Sequence, residues 1–347
     1  MRKLSFLLLL LLCFSYSVHS QDINNKIKFS GTFFGDYFYY LSNADSSNKN
    51  MNGFQFRKIF VTADFYVAEK FDGRFRLEGN QNTDSLKNGE KIGMHVKNAS
   101  LKWKSIFTGS DLVFGLSPTP AWQVSQEAWK YRSIEKTIMD LFNISSSRDL
   151  GIDLKGKLTS SGTINYWVKF GNNSGQSIET DKYKKFYAMI HFKPDSNFQA
   201  TFYCDYSSKT NKLDNIGHLY KSNNEAVACL FLNYKESDLF SVGVESFYVF
   251  QQNNFSKSTI DPLENQHGYG ISLWTWALIS NKFRLVARYD CYDPNTQIDN
   301  DAITFFVAGL DYKVNRSVSV IPHMELFNYQ SRAEKDLIAR LTLSYQF

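Results

Sequence analysis

Proline, cysteine, long apolar runs and an excess of one charge are all scarce in this 347-residue chain. With only 6 prolines it is not a Pro-rich linker or stalk. Beyond Cys13, the cysteines are Cys204, Cys229 and Cys291. They are widely spaced, odd in number and lack a C-x-x-C pair, so neither a disulfide framework nor a zinc site is signalled. After residue 20 no apolar stretch approaches the roughly 20 residues that a membrane-crossing helix needs. A mean hydropathy of −0.35 excludes a bundle of such helices. Lys plus Arg number 39 against 34 Asp plus Glu, too balanced for a nucleic-acid footprint. Aromatic residues are plentiful: 30 Phe, 20 Tyr and 6 Trp make 16% of the chain, far too many for a disordered one.

The first residues are laid out as a secretory signal peptide. Arg2 and Lys3 precede an apolar run from Leu4 to Leu12, and Val18-His19-Ser20 offers a small residue before Gln21. The run is too short to anchor in a membrane. Residues 1–20 are therefore expected to be removed, leaving 21–347 as one domain.

The dominant period in that domain is two. Leu337, Ala339, Leu341, Leu343 and Tyr345 alternate with Ile338, Arg340, Thr342 and Ser344. Phe283, Leu285, Ala287, Tyr289 and Cys291 are set against Arg284, Val286, Arg288 and Asp290; Phe198 to Tyr206 behaves alike. Successive strand side chains point to opposite faces, so each segment has one apolar and one polar face. Sixteen such segments are predicted, within a range of 14 to 18. They lie near 26–40, 53–68, 71–80, 95–106, 110–117, 148–158, 163–171, 183–193, 198–207, 225–236, 239–251, 267–279, 282–292, 302–313, 316–327 and 335–347.

Their connections alternate short and long. Glu69-Lys70, Ser237-Asp238 and Ser280-Asn281 are tight, whereas Ser42 to Asn52, Ser208 to Asn224 and Gln252 to Gln266 are extended and polar. This rhythm fits a transmembrane antiparallel β-barrel with short periplasmic turns and long outer loops. A sheet can cross lipid only when it closes on itself, because an unpaired backbone group finds no water there. A soluble β-sandwich also alternates but does not favour such regular loop lengths. Tyr37, Tyr39, Trp103, Trp167, Trp274, Trp276 and Tyr345 suit aromatic girdles at the two interfaces.

Several blocks carry a resemblance. Gly53-Phe54-Gln55-Phe56-Arg57-Lys58 is followed by Phe71-Asp72-Gly73-Arg74-Phe75-Arg76-Leu77-Glu78. A second block joins Gly115-Leu116-Ser117-Pro118-Thr119-Pro120, Glu127-Ala128-Trp129-Lys130-Tyr131-Arg132 and Arg148-Asp149-Leu150-Gly151. A third is Arg288-Tyr289-Asp290, Asp293-Pro294-Asn295 and Gly309-Leu310-Asp311-Tyr312. Together they resemble Bacteroidetes-type outer-membrane porins related to the phosphate-selective porin O and P group. The resemblance implies a sixteen-stranded channel in the cell outer membrane, a homotrimer, and small hydrophilic solutes or ions as its cargo. It does not imply phosphate. Phe347 is similar to the C-terminal aromatic that the barrel-assembly machinery reads in such proteins.

The longest connection, Pro118 to Ser147, follows the fifth strand. Within it Val124 to Phe142 reads as helical, with Trp129, Ile134, Ile138 and Leu141 on one face. In general porins the loop at this position folds inward. By that likeness Glu127, Lys130, Arg132, Glu135, Lys136 and Asp140 are candidates to line a constriction; an external lid or a subunit contact is the alternative.

Placing the polar parity inward gives a lumen with Lys58, Arg74, Arg76, Lys102, Lys104, Lys155, Lys169, Lys185, Arg284, Arg288 and Arg340. Asp64, Glu78, Asp153, Asp205, Glu245, Asp290, Asp311 and Glu325 face them. The basic surplus predicts at most a weak anion preference, unless these charges merely pair with one another.

A barrel enzyme and a plugged structural or adhesive barrel are the competing readings. Neither H-E-x-x-H nor G-x-S-x-G occurs, and His323 with Glu325 is the nearest approach to an acid–base pair. No phosphate-binding loop is present. The sequence thus points to no catalytic residue, no metal, no cofactor and no nucleic-acid partner, with outer-membrane lipid as the surrounding medium.

Overall fold

The computed structural model describes residues 27–81, 93–214 and 216–347; the expected signal peptide lies outside them. The period-two segments become strands β1 (Ile27–Ser42), β2 (Asn52–Ala68), β3 (Phe71–Asn80), β4 (Gly93–Phe107), β5 (Ser110–Pro118), β6 (Arg148–Lys157), β7 (Ile164–Gly171), β8 (Lys185–Phe192) and β9 (Phe198–Ser207). A hairpin of two-residue strands, β10 (Lys212–Leu213) and β11 (Tyr220–Lys221), decorates the following loop. The main sheet resumes with β12 (Glu225–Glu236), β13 (Phe240–Phe255), β14 (Glu264–Ser280), β15 (Phe283–Asp293), β16 (Ile303–Lys313), β17 (Val318–Tyr329) and β18 (Asp336–Gln346).

Sixteen of these form a closed barrel of antiparallel neighbours. β1 pairs with β2 on one side and β18 on the other, with Tyr37 opposite Leu341 across the seam. The C-terminal residue extends the seam: the Phe347 amide donates to the Gly31 carbonyl at 3.1 Å, and the Gly31 amide donates to the Phe347 carbonyl at 2.9 Å. Closure leaves no sheet edge, the condition for crossing lipid with strands.

Alternation sorts the two faces. On β18, Leu341 and Leu343 are exposed outside while Thr342 is buried inside. Tyr37 and Trp103 stand outside, and Tyr345 stacks there between Phe33 and Phe347. Trp167, Trp274 and Trp276 depart from the girdle expectation, since all three are buried inside the barrel. Phe231, Val286, Phe305, Val307 and Ile321 join them, so part of the inner wall is apolar. The cause is the segment between β5 and β6, which presses Trp129, Tyr131 and Ile134 against this wall. Two faces of one strand can both be apolar when each is covered, one by lipid and one by protein.

That segment is not one helix. It holds α1 (Gln123–Trp129) and a single turn α2 (Ile138–Leu141). Lys130 breaks the first with a left-handed φ of 64°, its amide still bonded to the Gln126 carbonyl. The break lets Tyr131 turn outward to the wall, where its hydroxyl donates to Asp311 at 2.9 Å.

Two β-bulges matter for the interior. Phe34 faces Lys58 and Gly35 faces Phe56, which leaves Arg57 as an extra residue in β2. Arg76 faces Asn98 and Leu77 faces Val96, which leaves Lys97 extra in β4. A bulge puts two residues opposite one and re-aims a side chain. Here both Arg57 and Lys97 turn into the barrel beside Lys58 and Asn98.

Candidate functional site

The segment 119–147 packs on the inner wall from β7 to β17 and is held from the other side by Arg57 of β2. Three cavities lie toward β1–β6. The one nearest the long-loop end measures 390 Å³ and is lined by Gln55, Arg57, Lys58, Arg132, Glu135 and Lys136, among others. It shares Arg132 with a 60 Å³ cavity bounded by Phe60, Arg76, Lys97, Trp122, Gln126, Arg132, Ser147 and Arg148. A 610 Å³ vestibule at the short-turn end holds Lys28, Asp64, Asp72, Arg74, Lys102 and Lys155.

The narrow cavity concentrates charge. Four basic side chains and no carboxylate line it. Arg132 is fixed by Asp140 and by the Gln126 side-chain oxygen at 2.8 Å. Lys97 reaches Glu78 at 2.9 Å, and Glu78 also holds Lys58 at 2.5 Å. Arg76 donates only to the Thr62 hydroxyl at 2.7 Å, and Arg148 only to the Ser147 carbonyl. The Arg148 Nε atom has no partner among the described residues. Among the described residues, neither of these two guanidinium groups therefore forms an ion pair. The Arg76 and Arg132 guanidiniums lie over Phe60 and Trp122, at 5.7 Å from each ring centre, which braces them by cation–π attraction.

The remaining sequence candidates are distributed elsewhere. Arg74 forms a two-point pair with Asp64 at 2.5 and 2.9 Å in the lower vestibule. Lys102 and Lys104 share Asp72 at 3.4 and 3.0 Å. Glu135 and Lys136 lie at the upper cavity, where Glu135 meets Arg57 at 3.7 Å. Glu127 is solvent-exposed on α1 and bonded to Gln123. Lys130 reaches down toward Asp238 at 3.9 Å and Trp276, and burial pulls its ammonium pKa down. Burial, then the Asp311 carboxylate, push the neighbouring Tyr131 hydroxyl up.

Four candidates, Arg288, Asp140, Arg284 and Arg340, do not line these cavities. Arg288 is wholly buried, paired with Asp290 and donating to the Lys136 carbonyl. It clamps the inner segment to β15 instead. Asp140 is spent on Arg132, and Arg284 lies over Trp276 at 4.5 Å beside the Asp238 carbonyl. Arg340 is neutralised from two sides, by Glu325 at 2.9 Å and Asp36 at 3.2 Å. Lys169 with Asp153 and Lys185 with Asp205 are likewise buried pairs. Much of the expected lumen charge is thus internally matched, and His323 with Glu325 (3.2 Å) belongs to the Arg340 network.

Arg57, Lys97 and Arg148 were absent from the candidate set. Strict alternation turns Arg57 and Lys97 away from the lumen, and only the bulges bring them in. Arg148 opens β6, where a strand pattern has barely begun. Its place directly after Ser145-Ser146-Ser147, at the head of the Arg148-Asp149-Leu150-Gly151 block, is the sequence signal that could have marked it. Among the described residues no cluster of His, Cys, Asp and Glu could hold a metal ion.

No protein-family model matches the sequence, and no curated protein matches it significantly. Solved structures do match. The outer-membrane channel DcaP of Acinetobacter baumannii aligns with a TM-score of 0.69 at 13% identity, over 92% of this chain and 97% of that one. An anion-selective porin from Comamonas acidovorans aligns at 0.66 and 10% identity, over 92% and 99%. OmpF of Salmonella typhi, in complex with daunomycin, aligns at 0.64 and 14% identity, over 92% and 97%. At such identities the likeness establishes the sixteen-stranded porin-type barrel and nothing finer.

Proposed function

We propose that this chain is an outer-membrane porin through which small hydrophilic solutes diffuse, with anions favoured over cations. The reading rests on one observation: the smallest of the three cavities, 60 Å³, is lined by Arg76, Lys97, Arg132 and Arg148 with no carboxylate among them. Rings of basic side chains lower the energy of an anion at a constriction and raise that of a cation. Paired charges elsewhere keep the interior wet without choosing a sign.

Selectivity here needs no bond-making. The inner segment sets the width, and the four cations set the sign. The wider vestibules carry both signs, so they admit solutes of either charge up to the constriction. Export through residues 1–20, read from their own layout, completes the reading, with insertion helped by Phe347 and assembly as a homotrimer taken from the resemblance to Bacteroidetes-type porins. A planar bilayer with a salt gradient tests it: a reversal potential of anionic sign supports the proposal, and a cationic sign or the absence of conductance steps overturns it.

A further inference from the structure

Beneath α1 lies a buried acid that nothing in the channel reading uses. Glu245, on β13 between Phe231 of β12 and Ser272 of β14, points into the barrel and is 1% exposed. Its Oε1 accepts from the Ser125 hydroxyl of α1 at 3.0 Å and lies 4.0 Å from the Cys229 sulfur of β12. Among the described residues it forms no ion pair. The charged groups that face it are Arg288 and Asp290 of β15 and Asp140 of α2. Arg288 is committed to Asp290, and Asp140 to Arg132.

Every other charged contact that holds the inner segment is matched. Arg57 donates to the Ser133 and Ile134 carbonyls, Arg288 to the Lys136 carbonyl, and Tyr131 to Asp311. Asp311 and Asp205 also accept from hydroxyls of the segment, Tyr131 and Ser145, but each is paired with a lysine, Lys313 and Lys185, and Glu245 has no such partner among the described residues. A buried carboxyl in such a place is tolerated when it carries its proton, and an ionised one demands water or a cation. With α1 seated, Glu245 is 1% exposed, which leaves little room for either. With Asp290 and Asp140 nearby, a new negative charge gains nothing from its surroundings.

We propose that Glu245 is a pH-sensitive latch for the constriction segment: protonated, it lets α1 seat on β13, and ionised, it drives α1 off the wall to admit water. The barrel strands do not move. The segment loosens as pH rises, and the narrow cavity between Trp122, Gln126 and Arg132 widens with it.

The test compares wild type with Glu245→Gln, which keeps the shape and cannot ionise, in mildly acidic and mildly alkaline buffer. Two readouts are taken: single-channel conductance, and hydrogen exchange of Gln123–Trp129 corrected for intrinsic rates. In wild type, exchange of α1 and conductance both rise at alkaline pH; in Glu245→Gln both rises are lost. Ser125→Ala removes the hydroxyl donor to the ionised form, leaving only the weak Cys229 thiol, and shifts the transition to higher pH. A pH response that survives Glu245→Gln, or α1 exchange that ignores pH in wild type, overturns the latch. The conductance arm rests on the channel reading, whereas the exchange arm does not, so a barrel that never conducts can still show or refute the latch.

Discussion

Replacing Arg76 by Gln removes one of the two constriction cations that lack an acidic partner. Its size and its bond to Thr62 can be largely kept by the amide, so the change is chiefly one of charge. In the most screened limit, a unit charge about 4 Å from a passing ion is worth about 1 kcal/mol in water, favouring an anion and opposing a cation. On that bulk-water figure the anion-to-cation permeability ratio falls by about 2 kcal/mol, or ~30-fold, before salt is considered. Salt divides this further: the screening length is about 10 Å at ~0.1 M but about 3 Å at ~1 M. The substitution should thus cut the ratio several-fold in dilute salt and hardly at all in concentrated salt. Reversal potentials of the two proteins, taken in both regimes, measure it. An unchanged ratio in dilute salt would show that Arg76 does not face the ion path. An equal drop in both regimes would show that the residue acts through shape, and the electrostatic argument would fail.

Other perturbations probe how the inner segment is held. Trp129→Ala empties a fully buried site between Tyr131 and Trp274, with ring centres 5.6 and 5.5 Å away, and should weaken docking of the segment by about 3–5 kcal/mol. The barrel should still migrate faster unboiled than boiled on a gel while its conductance becomes larger and noisier; an unchanged conductance would count against the segment as the narrowing element. Arg288→Met leaves Asp290 buried without its partner, which typically costs about 3–5 kcal/mol. Thermal unfolding followed by circular dichroism should register that loss, and Arg288→Met with Asp290→Leu should recover most of it.

Closure of the barrel was legible because lipid imposes it. Once alternation, strand number and the short–long loop rhythm are read, an open sheet is excluded by its unpaired edges, and the polar parity of β9, β15 and β18 is fixed by which face meets hydrocarbon. The inward direction of Arg76, Arg288 and Arg340 followed from the same rule. Alternation speaks only of direction, however, and says nothing about what a side chain meets on arrival. Arg288 and Arg76 read alike in the sequence, yet one is sealed against Asp290 and the other looks into open space.

The tertiary structure alone decided those differences, and it did so through three local departures from regularity. Bulges at Arg57 and Lys97 added two cations to the lumen by breaking the period that the sequence reading relied on. The left-handed turn at Lys130 split one expected helix and sent Tyr131 to Asp311. The seating of Trp129 and Ile134 on Trp274, Phe305 and Ile321, and of Trp122 and Ile138 in the cluster that holds Trp167, covers an apolar inner wall where a polar one was expected. Each is a contact between residues far apart in the chain, whose energy depends on packing that no local pattern encodes. What the amino-acid order settled by itself was the two-faced sheet; where its charges stand unmatched was settled by how 119–147 fills the space that the sheet encloses.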